Sequence, residues 1–194
     1  MMSVKMIVLI CVTSLFAFLD SGWGGDYDFR NASWGMAAKD VIASEKTLDP
    51  VDSNKNIIRY KTEILGKNVE LAYLFSQNKL IGSFYKLDDN YLNSNHFLNT
   101  YRKFKTVLAR KYGPPLKEAT NWTDDTFRNV NQKRGLALSL GHTEYYTTWE
   151  TPKTRIGISL KAENYYVLCV IEYWSKDYVH LAEEASKEDI IDPF

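Results

Sequence analysis

The stretch Ile57-Ile58-Arg59-Tyr60-Lys61-Thr62-Glu63-Ile64-Leu65-Gly66-Lys67-Asn68-Val69-Glu70-Leu71-Ala72-Tyr73-Leu74-Phe75-Ser76-Gln77-Asn78-Lys79, continuing through Leu80 to Leu87, decides the fold. Its middle segment alternates with a period of two. Val69, Leu71, Tyr73 and Phe75 point one way, Glu70 and Ala72 the other, which is the pattern of a half-buried strand. Apolar and β-branched residues fill the flanking segments. The links Gly66-Lys67 and Gln77-Asn78-Lys79 are too short for a parallel crossover, so the three strands form an antiparallel meander.

Upstream, Trp34-Gly35-Met36 opens a short helix over Ala37–Glu45, with Met36, Val41 and Ile42 apolar and Lys39, Asp40 and Glu45 on its wet side. Pro50, Asp52, Ser53 and Asn54 form the loop before the meander. Downstream, Phe97, Tyr101, Phe104 and Leu108 recur at helical spacing, with Leu98 and Val107 beside them, and predict a long helix from Ser94 to Tyr112. Gly113-Pro114-Pro115 stops it. Leu116 to Arg134 reads as polar and irregular, anchored by Trp122 and Phe127. Strands are then predicted at Gly135–Leu140, Glu144–Glu150, Thr154–Lys161 and Tyr165–Trp174, with turns at Pro152 and at Ala162-Glu163-Asn164.

The expected class is α+β: antiparallel β meanders with helices packed on one face. Residues 29–90 and 91–178 follow similar plans, consistent with a duplicated helix-β-β-β unit. The expected organisation is a signal peptide at 1–24, one α+β domain at 25–178 and an acidic C-terminal tail at 179–194. In the tail Val179, Leu181, Ala182 and Ala185 are weakly amphipathic.

The N-terminal reading rests on Met6 to Leu19, an almost unbroken apolar run preceded by Lys5 and followed by Ser21, Gly22, Gly24 and Gly25. The run is shorter than the roughly 20 residues of a membrane-spanning helix and has the flanks of an export signal. The expected location is therefore periplasmic or secreted. The alternative is a membrane anchor formed by residues 6–19 left uncleaved. Cys11 lies inside the apolar run rather than after it, so no lipid anchor is expected. Removal of the leader leaves Cys169 as the only thiol, set in the apolar run Tyr166-Val167-Leu168-Cys169-Val170-Ile171 and read as buried and inert.

Of the 194 residues, 45% are hydrophobic, enough for a real core. Lysine plus arginine number 24, as do aspartate plus glutamate. This balance lacks the basic surplus of a non-specific nucleic-acid binder. His96, His142 and His180 are widely separated and stand in no metal-binding spacing. The sequence carries no nucleophile elbow, phosphate loop or dinucleotide turn. The carboxylate pairs Asp88-Asp89, Asp124-Asp125 and Glu183-Glu184 are adjacent, so their side chains diverge instead of facing one another across a cleft. No cofactor and no metal are expected.

The segment Phe29-Arg30 through Trp34-Gly35-Met36-Ala37-Ala38-Lys39-Asp40-Val41 resembles the W-G-M-x-x-x-x-V opening of many exported bacterial proteins of uncharacterised role. More loosely, Gly35-Met36 with Val41 is similar to small periplasmic modules of the BamE/SmpA and beta-lactamase-inhibitor-protein type. The resemblance implies a helix packed on an antiparallel sheet and an envelope location. The chain departs from the BamE type in lacking a lipobox cysteine.

Aromatics make up 14% of the chain and crowd its second half. Neighbouring aromatics on a strand face opposite sides. With Tyr146 inward, Tyr145 points outward, and the expected exposed set is Trp122, Tyr145, Trp149, Tyr165 and Tyr173, a platform for an envelope protein or a small ligand. The same aromatics also suit cross-strand pairs within the sheet. The functional expectation is thus a non-catalytic binding protein, with an envelope enzyme using His142 beside Glu144 as the alternative.

Overall fold

A computed structural model describes residues 27–187. The leader expected at 1–24, its alternative as an anchor over 6–19, and the tail beyond 187 lie outside the described residues.

The chain runs α1 (Ala38–Ser44), β1 (Asp52–Ser53), β2 (Ile57–Ile64), β3 (Lys67–Ser76), β4 (Lys79–Leu87) and α2 (Asn95–Tyr112). It continues with β5 (Lys117–Trp122), a short 3-10 turn, α3 (Arg134–Ser139), β6 (Thr143–Glu150), β7 (Thr154–Glu163), β8 (Tyr166–Ser175) and α4 (Val179–Lys187). All eight strands join one antiparallel sheet in the order β1-β2-β3-β4-β8-β7-β6-β5. Each half is a helix followed by a four-strand meander. The halves meet where β4 pairs with β8, Ser83 opposite Tyr173 and Tyr85 opposite Ile171. The two arms thus mirror one another about the centre of the sheet, which gives the repeated plan legible in the sequence its physical form.

Two segments correct the sequence reading. Lys117–Trp122, expected to be irregular, is the edge strand β5, paired with β6 from Lys117 opposite Thr148 to Trp122 opposite Thr143. An edge strand that is half-exposed on both faces needs no apolar period, so none is written there. Leu136-Ala137-Leu138, expected in a strand, lies in α3, because a short apolar run does not distinguish helix from strand. Gly135 sits against the start of α2, where an added Cβ would lie 2.5 Å from the Asn95 backbone nitrogen.

Helices α1 to α3 cover one face over the principal core, which includes Tyr60, Leu71, Tyr73, Phe75, Phe104, Leu138, Trp149 and Ile158. Helix α4 lies on the other face. There Leu181 joins Ile57, Ala72, Leu74, Ile81, Phe84 and Val170 in a second cluster. Helix α4 is packed onto the sheet through Leu181 and Ala185, both buried.

The entry segment is fastened in both directions. Phe29 packs among Tyr73, Tyr85 and Tyr173, its ring centroid 4.8 Å from that of Tyr173. The Trp34 indole donates to Thr154 Oγ1 at 2.9 Å. Gly35 adopts φ +85°, and a Cβ there would stand 2.5 Å from the Tyr178 hydroxyl at the start of α4. The Trp34-Gly35-Met36 stretch thus links both faces of the molecule. Glu45, expected on the wet side of its helix, is only 3% exposed. It receives both Arg30 Nε and Arg30 Nη2 at 2.8 Å and the Tyr73 hydroxyl. Burial pushes the Glu45 carboxyl up, but these hydrogen bonds outweigh it and hold the group below the usual carboxylate range. The ion pair clamps the entry segment to α1 and β3.

Candidate functional site

Strand alternation and the packing of α2 decide which side chains of the second arm face out. The Tyr101 hydroxyl of α2 bonds Thr147 Oγ1 at 2.8 Å, so Thr147 faces the helices. With it face the odd-numbered residues of β6 and the residues opposite them, among them Tyr145, Trp149, Ile158, Leu160, Cys169 and Tyr173.

This phase corrects the expected aromatic platform. Trp149 is 1% exposed, and its indole donates to the Gly113 carbonyl at 3.0 Å. Tyr173 is buried beside Phe29, Tyr85 and Tyr112. Tyr145 is half-buried against Tyr101 on the helix side. Trp122 is half-buried opposite Thr143 on that same side. Tyr165 does stand out, 79% exposed, but in the β7–β8 turn rather than in the strand. Asn164 and Tyr165 both take positive φ, 48° and 68°, the backbone of a two-residue hairpin. The five expected residues therefore form no common surface.

The outward set on the second arm is different. Across the sheet Ala119 stands opposite Tyr146, Tyr146 opposite Ser159, and Ser159 opposite Val170. The next row runs Lys117, Thr148, Gly157 and Glu172. Small neighbours on either side of Tyr146 leave a depression of about 330 Å³, lined by Lys117, Ala119, Asn121, Glu144, Tyr146, Ser159 and Lys161 together with Tyr145. Asn121 Nδ2 donates to Glu144 Oε1 at 2.7 Å and fixes both groups at its edge. Glu172 lies flat over Gly157, where a Cβ would come within 2.8 Å of its carboxylate. Its Oε2 accepts from the Trp174 indole at 3.1 Å. Burial raises the Tyr146 phenol, and the Glu172 charge raises it further. Toward the hairpin the same face ends in half-buried Leu168 and in Tyr166, which is 77% exposed. Sequence reasoning missed Tyr146, Ser159, Asn121 and Lys161. The alternation was legible, but its phase depends on which side α2 and α3 pack.

Each of the two residues of the enzymatic alternative has a partner of its own. His142 stacks on Phe127 with ring centroids 5.9 Å apart, and its Nδ1 lies 3.8 Å from Asp124. Glu144 instead holds Asn121. Burial pushes the Cys169 thiol up to about 12, so it stays protonated and unreactive at neutral pH. Among the described residues no three histidine, cysteine, aspartate or glutamate side chains converge as metal ligands, and no helix is long and apolar enough to cross a membrane.

A second depression, about 380 Å³, lies beside α2. Its polar groups serve one another: the Tyr91 hydroxyl donates to Asp89 at 2.8 Å, and the Lys67 ammonium sits 3.3 Å from Asp89 and 5.0 Å from the Tyr91 ring centroid. The bare face of the second arm is the better candidate, because its polar groups surround an aromatic ring, Tyr146, set between the small residues Ala119 and Ser159. No family model, curated protein or solved structure matches the chain.

Proposed function

We propose that this chain is an exported, non-catalytic binding protein that takes a partner protein or a ligand on the bare half of its sheet, the face of β5, β6 and β7 opposite α2. One observation carries this reading. Among the described residues helix α4 covers the part of this face formed by Ile57, Ala72, Leu74, Ile81 and Phe84, and no element covers the part over β5 to β7, which carries a polar and aromatic depression. A surface evolved only for solubility has no need of Tyr146 set among small neighbours. The apolar run from Met6 to Leu19 supports export, and the engagement of Glu144 by Asn121 and of His142 by Phe127 and Asp124 supports binding over catalysis.

The test is capture from an extract of the exported compartment by the mature chain. Ser159→Arg fills the depression, while Arg102→Glu on the exposed side of α2 serves as the control. The expected outcome is loss of capture with Ser159→Arg alone. Equal capture by both variants contradicts the reading, as does discovery of a turnover reaction that depends on His142 and Glu144.

A further inference from the structure

We propose that the bare face is a saccharide site, which holds a neutral oligosaccharide laid from Tyr146 toward Tyr166; this deepens, and rests on, the binding reading above. The chemistry of the lining selects that class. Sugar rings offer hydroxyls that both donate and accept, together with C–H faces that stack on aromatic rings. The depression supplies the complement. The Asn121 amide and the Glu144 carboxylate stand side by side, locked by their 2.7 Å hydrogen bond, so neighbouring hydroxyls meet groups already in place. Ser159 lies across from Tyr146, and Lys161, its ammonium paired with Glu163 at 2.6 Å, completes the wall.

Other occupants fit less well. The lining contains acids and bases of both signs, which disfavours a strongly charged ligand. It offers no deep apolar pocket of the kind that a buried protein anchor or a lipid chain would fill.

The length of the face points to an oligomer rather than one ring. Tyr146 is two strands from β8, at the level of Val170, and Tyr166 lies four residues along β8 from there. Strand spacing and rise therefore separate the two aromatic residues by roughly 16 Å. Tyr166 is 77% exposed on this face, available as a second stacking surface.

The experiment titrates the leaderless chain with three neutral hexasaccharides: β-1,4-linked glucose, α-1,4-linked glucose and β-1,4-linked N-acetylglucosamine. Binding is followed by amide NMR. The expected result is saturable shifts at Ala119, Tyr146, Ser159 and Lys161 with at least one of the three. Tyr146→Ala should then weaken binding by about 10-fold, the loss of one stacking contact. Tyr166→Ala should weaken it by about 3-fold, and both variants should keep dispersed, folded spectra. Absence of shifts with all three sugars at roughly 10 mM, weaker than any useful affinity, overturns the assignment. So does undiminished affinity in folded Tyr146→Ala. If the sugars fail while Ser159→Arg still abolishes partner capture, the saccharide assignment falls and the binding face stands.

Discussion

Two regions of one sheet face, one beneath α4 and one over β5 to β7, differ in what the chain lays over them. Under α4 the face is Ile57, Ala72, Leu74, Phe84 and Val170, all buried. Over β5 to β7 the same face is Ala119, Tyr146, Thr148, Ser159 and Lys161, none of them fully buried. Both halves belong to four-strand meanders of the same topology, and both pack their opposite face on the principal core. Composition follows cover: beneath α4 the residues are apolar, and where no described element sits the face is polar, as the charges Arg59, Lys61, Glu70 and Lys86 on β2 to β4 and as hydroxyls, an amide and charges around Tyr146 on β5 to β7. Strand pairing alone would not produce that difference. The halves share a backbone plan and diverge in what each can receive.

Removal of the cover tests the contrast most severely. A chain ending at Lys176 loses the burial of Leu181 and Ala185 and strips the cluster beneath them. The expected cost is on the order of 5 kcal/mol from the apolar area returned to water. A lowered denaturation midpoint together with binding of an apolar dye checks it. A truncated chain as stable and as dye-free as the full one would show that α4 does not seal that half.

The clamp at the entry segment comes next. Glu45→Gln removes the buried carboxylate that pairs with Arg30, at an expected cost of about 3 kcal/mol, whereas Arg30→Met with Glu45→Leu should recover most of it. Urea denaturation of the two variants decides this. The pH dependence has a definite sign. Because the folded Glu45 carboxyl is held below its ordinary value of 4.5, it contributes stability that is fully present above that value. The contribution is lost as the pH falls through the folded pKa. Stability should therefore decline in the acid range, and that decline should be smaller in Glu45→Gln.

On the bare half the effects on stability are small and those on binding large. Tyr146→Ala should cost about 1 kcal/mol or less, a surface-type change, while it weakens binding on this face by about 10-fold. A thermal scan run beside the capture assay checks both. The smallest effect belongs to the hairpin tip. Tyr165 holds φ +68°, a backbone region that disfavours side chains, so Tyr165→Gly should stabilise the chain by about 0.5–1 kcal/mol.

Sequence pattern reached the covered elements and faltered at the edges. β2 to β4 and α2 were legible because near-complete burial writes an unbroken period into Val69, Leu71, Tyr73 and Phe75, and into Phe97, Tyr101, Phe104 and Leu108. β5 escaped because a half-exposed edge strand needs no such period. α3 was mistaken because Leu136-Ala137-Leu138 is too short to show one. The site failed on phase: a period of two gives two possible outward sets, and only the packing of Tyr101 on Thr147 selects between them. Tyr165 was assigned to a strand because its turn carries Asn-Tyr in place of a glycine-bearing pair. Glu45 was read as wet because its partner, Arg30, lies in a segment with no periodic signal.

The central claim is that one sheet face is sealed where α4 lies and, among the described residues, open over β5 to β7. Cys169 is buried and holds its proton, so the leaderless chain provides a silent background for introduced thiols. Ala72→Cys and Ser159→Cys place one thiol each on the same face, the first under α4 and the second in the depression. Labelling with a maleimide under native conditions should be rapid for Ser159→Cys, and for Ala72→Cys slow until the chain is unfolded. Equal labelling rates at the two positions, or faster labelling of Ala72→Cys, would contradict the account.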